Sequence, residues 1–155
     1  FDTAETRLPV NATNGFVLTT NDAVADGIEW AANTYTKPTQ AFITACSDET
    51  SDLTTGILST WRTPYAFTVT GVRASVGTAP TGANITVDIL QNGVSILTTN
   101  ITIDATEKTS VSAATPPVIG TAALTNDSEI TINLTVIGST IAGAGLKVTI
   151  IGNET

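Results

Sequence analysis

Apolar and polar side chains alternate one by one along much of this chain, most cleanly where Ile85, Val87 and Ile89 are interleaved with Thr86 and Asp88. A period of two is that of a half-buried strand. Gln91-Asn92-Gly93 follows, and Asn-Gly marks a two-residue hairpin because both residues tolerate positive φ. Residues 94–97 return as the partner strand, and Ile101 and Ile103 keep the pattern up to a turn at 104–107. Residues 108–113 read as an edge strand with Lys108 facing solvent, broken by Pro116-Pro117. The stretch 129–137 puts Ile130, Ile132, Leu134 and Val136 on one face, 138–145 is a loop, and 146–151 closes the domain.

Upstream of this stretch the same reading gives strands at 41–46, 55–62 and 65–76. In the last of these the inward set is Phe67 and Val69, then Val72, Ala74 and Val76, one residue out of phase. Gly71 sits at the change, where a β-bulge is expected. About eight strands at roughly 8–12-residue spacing imply an all-β fold, an antiparallel β-sandwich. A jelly roll fits the long third strand and the uneven loops. An immunoglobulin pattern would need a Cys…Trp…Cys signature, which is lacking.

Pro38 cannot donate to a central ladder, so pairing restarts after it. The expected domains are a stem, 1–38, and a sandwich knob, 39–155, the latter large enough to bury its own core. Within the stem, residues 15–30 read Gly-Phe-Val-Leu-Thr-Thr-Asn-Asp-Ala-Val-Ala-Asp-Gly-Ile-Glu-Trp. Two short apolar runs, 16–18 and 28–30, flank a turn at Asp26-Gly27. Such a hairpin is at best marginally stable alone. It therefore needs other copies, and the same segment in sister chains would supply them through Phe16, Val17, Leu18, Ile28 and Trp30.

This segment resembles the Gly-x-Val-Leu-Thr-(Ser/Thr)-(Asn/Asp)-Gly…Trp-Ala hairpin in the shafts of bacteriophage tail fibres, with Phe16 and Asp22 where Gln and Gly are commoner. The resemblance implies a trimerising stem, a homotrimer at the virion surface, and a terminal knob that attaches to a host-surface glycan or protein. Other virion proteins would be met through the N-terminal side. The chain has no methionine, so it is expected to be the tail end of something longer.

Composition narrows the function classes. The 155 residues include 32 threonines, no histidine, and one cysteine, Cys46, expected to be a buried small hydrophobe. A net charge of −8 disfavours nucleic acid and anionic lipid as partners. No apolar run reaches the ~18–20 residues that would insert in a membrane. Without histidine, Ser–His and Cys–His catalysis are excluded, and no solenoid repeat frames a glycosidase groove. Neither an enzyme nor a cofactor is expected.

Two candidate sites remain. Asp48, Glu49 and Asp52 crowd one loop and form a weak hard-cation candidate, without the spacing of an EF-hand; turn capping is the commoner use of such residues. Trp61, Arg62 and Tyr65 gather aromatic faces and a cation suited to receptor contact, although period two alone leaves the direction of Trp61 open. Rival readings are a capsid-decorating or head-fibre protein with a structural role, and a carbohydrate-binding module of a secreted bacterial protein.

Overall fold

The computed structural model describes the backbone of residues 16–20 and 28–32 and the whole of residues 37–155. The chain divides into two units, Phe1–Thr36 and Lys37–Thr155. In the first, β1 (Phe16–Thr20) and β2 (Ile28–Ala32) pair antiparallel in a two-stranded sheet of their own, with Leu18 opposite Trp30. Each strand has five residues, longer than the apolar runs that signal them. The side chains of Phe16, Val17, Leu18, Ile28 and Trp30, and with them the expected trimer contacts, lie outside the described residues.

The second unit is an all-β antiparallel sandwich. Its strands are β3 (Gln40–Ala45), β4 (Gly56–Arg62), β5 (Phe67–Ser75), β6 (Ile85–Gln91), β7 (Val94–Ser95), β8 (Leu97–Thr99) and β9 (Ile101–Ile103). They continue with β10 (Val118–Ile119), β11 (Ala123–Leu124), β12 (Glu129–Val136) and β13 (Lys147–Glu154). One sheet has the order β11-β5-β13-β3 and the other β4-β12-β6-β7, with β9 also on β6. Early strands therefore pair with late ones: β3 with β13, β4 with β12, β5 with β11 and β6 with β7. A long hairpin rolled into two facing sheets gives this nesting, which is the jelly roll.

Alternation decides the core. Ile85, Val87 and Ile89 on β6 and Ile130 and Ile132 on β12 are all 0% exposed. They face Phe67, Val69, Val72 and Ala74 on β5 and Val148 and Ile150 on β13, all buried. The phase change in β5 is a bulge: Val69 lies opposite Gly152 and Gly71 opposite Ile151, leaving Thr70 as the extra residue. Asn92 (φ 50°) and Gly93 (φ 81°) form the two-residue turn between β6 and β7, the left-handed pair that matches strand twist.

Two expectations need correction. Residues 108–113 form no edge strand; Ser110–Ser112 is a 3-10 turn capped by Thr109, whose hydroxyl accepts from the Val111 amide. The cause is local hydroxyl chemistry, since the buried Ser110 Oγ also accepts the Ala74 amide at 2.9 Å and takes the place of a ladder bond. Val136 is 43% exposed and does not join the face of Ile130, Ile132 and Leu134. The register with β6 shifts between Leu134 and Val136, which ends the alternation there.

Candidate functional site

The four aromatic residues of 37–155 form one cluster. Phe42 has its ring centroid 5.1 Å from Trp61, 6.0 Å from Tyr65 and 4.9 Å from Phe67, all tilted. Register explains the meeting. Phe42 lies opposite the buried Ile150, and Trp61 opposite the buried Ile130, so both point inward from the outermost strands of the two sheets. Their contact closes the seam between β3 and β4. Tilted rings at this spacing are favourable beyond the area they bury.

Trp61 and Tyr65 are thus half-buried packing residues as much as candidate contacts. The Tyr65 hydroxyl donates to Gln40 Oε1. Arg62 is exposed; its Nη1 donates to the Asp127 carbonyl at 2.7 Å and lies 3.8 Å from the Asp127 carboxylate. All three sit at the end of the sandwich where the chain enters β3, an end also marked by the Lys37–Glu154 ion pair at 3.8 Å. One flank of Trp61 opens into a cleft of about 490 Å³, shared with Phe42, Ile43, Thr44 and Ser59. The Trp61 Nε1–H is buried with no acceptor among the described residues.

The opposite end consists of loops tied to one another through the backbone. Gly145 N–H donates to Asp48 O at 2.9 Å, Leu53 N–H to Gly143 O at 2.9 Å, and Thr81 N–H to Ile141 O at 3.0 Å. Glycine suits position 145, because φ +73° strains any side chain and a Cβ there would stand 3.1 Å from the Gly77 backbone nitrogen. Exposed hydroxyls of Thr50, Ser51, Ser139 and Thr140 crown these loops, beside Ile141 at 43% exposure.

The carboxylates of the first loop do not converge. Asp48 Oδ1 accepts the amides of Ser51 at 2.6 Å and Thr50 at 2.8 Å, and these bonds hold its carboxyl down at about 2. Glu49 pairs with Lys147. Among the described residues no three His, Cys, Asp or Glu side chains are grouped as metal ligands, Asp48, Glu49 and Asp52 included. Turn capping explains Asp48. Cys46 is 7% exposed, and burial pushes its thiol up to about 11, with a smaller opposing contribution from the Val148 backbone. A thiol so held is a poor nucleophile.

One feature escaped the sequence reading. A second cleft, about 320 Å³, is lined by Gln91, Asn92, Val94, Ser95, Ile96 and Thr121. Gln91 Oε1 is buried there with no hydrogen-bond partner among the described residues. A glutamine ending a strand beside an Asn-Gly turn carries no signal that would mark it. Comparison with known proteins gives no match to a family model, a curated protein or a solved structure.

Proposed function

We propose that this chain is the C-terminal part of a trimeric bacteriophage tail-fibre-type adhesin, at the virion surface, whose knob binds a host-surface receptor, most simply a glycan. The observation that carries the reading is the β1–β2 sheet: it has two strands and belongs to a unit separate from the sandwich. Two strands alone do not bury enough to be stable in water, and three entwined copies would supply the missing neighbours. A jelly roll suits the knob, since lectin and viral coat domains use the same architecture.

Adhesion by such a particle rests on avidity, three weak sites on one stem acting at high effective concentration. Loops fixed by backbone hydrogen bonds at the end away from residue 37 are the better-placed contact surface. Trp61 and Tyr65 are committed to packing and Arg62 to Asp127, which leaves them a secondary contribution. The test is binding of the full chain to an array of bacterial surface polysaccharides. Retention on one polysaccharide class, weakened by Thr140→Lys and Ser51→Lys, supports the adhesin. Silence across the array favours the capsid-decorating role instead, for which internal use of the aromatic residues is no handicap.

A further inference from the structure

Gln91 ends β6 two residues beyond Ile89 and shares its inward face, opposite Ile130 of β12. The rest of that face is apolar, with Ile85, Val87 and Ile89 all 0% exposed. A polar side chain that closes such a row is more informative than another isoleucine would be. Its amide is held at one end alone. Nε2 donates to Thr125 Oγ1 over 3.4 Å, long for a hydrogen bond, while Oε1 is buried with no partner among the described residues. Turning the amide over would let Oε1 accept the Thr125 hydroxyl and leave Nε2 without an acceptor. Either way one polar atom is unpaired, and burial makes that costly. The last torsion of a glutamine has a broad profile, so an amide held this loosely can rotate to present that atom to the cleft.

The cleft itself is built on fixed walls. Asn92 is tied to Glu129 twice, its N–H donating to the carbonyl at 2.8 Å and its Oδ1 accepting the amide at 2.9 Å. Ser95 Oγ donates to Asp88 Oδ1 at 2.6 Å. Across the opening, the Thr121 N–H donates to the Ile96 carbonyl at 3.0 Å. The Asn92 Nδ2 group and the exposed Thr121 hydroxyl remain as further polar contacts.

Three properties select the ligand. A hydroxyl both donates and accepts, so it satisfies the Gln91 amide in either orientation. None of the lining residues is charged and the chain carries −8, so a phosphate or an acidic sugar finds no counter-charge. Val94, 71% exposed, offers an apolar surface to the C–H face of a ring. A volume of about 320 Å³ is at the lower end of small-ligand sites and suits one sugar unit rather than a long oligosaccharide.

We propose that this cleft binds a single neutral sugar unit, one hydroxyl of which completes the hydrogen bonding of the Gln91 amide. The site is separate from the loops at the far end of the sandwich and does not depend on the adhesin reading or on the trimer.

Backbone amide shifts of the full chain, followed during titration with the methyl glycosides of glucose, galactose, mannose and N-acetylglucosamine, test it. N-acetylneuraminic acid is the charged comparison and glycerol the non-specific polyol. The expected result is a saturable shift at residues 91–96 and 120–121 with at least one of the four glycosides, and none there with the acid. Gln91→Leu keeps the bulk and removes the unpaired group, so the denaturation midpoint should not fall while binding weakens about tenfold or more. Thr121→Val, at an exposed position, should weaken binding severalfold with the fold untouched. Absence of any shift at 91–96, binding that survives Gln91→Leu, or glycerol acting as strongly as the sugars overturns the proposal. Shifts confined to residues 138–145 overturn it as well, and leave the loops as the contact surface.

Discussion

Phe42 and Trp61 meet across the two sheets with ring centroids 5.1 Å apart, and with Tyr65 and Phe67 they bring every aromatic side chain of residues 37–155 into one contact group. The pair joins the outermost strands of opposite sheets, where no ladder hydrogen bond links the layers. Trp61→Ala should therefore lower the unfolding free energy by about 2–3 kcal/mol, less than a fully buried tryptophan because one flank is open. Urea denaturation checks this. A double-mutant cycle with Phe42→Ala should return a coupling of about 0.5–1.5 kcal/mol.

Two glycines should respond very differently to the same methyl group. At Gly93, with φ +81°, a Cβ meets nothing within 4 Å. Gly93→Ala should cost only the left-handed strain, about 1–2 kcal/mol. At Gly152 a Cβ would stand 2.0 Å from the Thr68 carbonyl and 2.7 Å from the Phe67 ring. Gly152→Ala should cost at least about 2 kcal/mol, through displacement of the β5–β13 ladder. Parallel denaturation curves of the two variants decide it.

Thr63 is 2% exposed and fully engaged: its Oγ1 donates to the Thr125 carbonyl at 2.6 Å and accepts the Ser128 amide at 2.9 Å. Thr63→Val keeps the shape but removes both bonds, leaving the Ser128 amide its 3.2 Å bond to the Thr125 carbonyl, which also accepts the Ser128 hydroxyl at 2.8 Å. An expected loss of about 0.5–1.5 kcal/mol follows, visible as a lower denaturation midpoint with an unchanged slope.

Asp48 sets a pH dependence with a definite sign. Its folded pKa is about 2, held below the ordinary value first by the Ser51 amide and then by that of Thr50. The turn is thus stabilised above the unfolded carboxyl's pKa, near 4, and that contribution is lost as pH falls through about 2. Asp48→Asn should flatten the stability profile between those pH values and leave the profile at neutral pH nearly flat. Unfolding curves from pH 2 to 7 provide the check. Cys46 complements this, because its thiol should resist alkylation at pH 8 in the folded chain and react once denaturant exposes it.

Much of the fold was legible because burial imposes a strict period of two. Ile85 to Ile89 and Ile130 to Leu134 follow it, and both Gly71 and Asn92-Gly93 carry the local chemistry of bulge and turn. Legibility fails where the period is broken by something the sequence does not announce. In β4, Ser59 lies opposite Ile132 and Ile57 opposite Asn133, so Leu58 is an extra residue. Ile57 and Trp61 are four apart, yet one faces solvent and the other the core. Residues 108–113 fail for another reason: their hydroxyls satisfy backbone groups without a ladder. At the candidate site the residue types of Trp61, Arg62 and Tyr65 suggested contact, but not that register would also set Trp61 and Tyr65, both half-buried, against Phe42.

The central claim is that the N-terminal hairpin is ordered only among copies of itself. Sedimentation equilibrium of the full chain beside one beginning at Lys37 tests it most directly. A mass of about 48 kDa for the full chain, three chains of 15.9 kDa, with far weaker association of the shorter one, is the predicted result. A full chain that sediments at about 16 kDa at every concentration contradicts it.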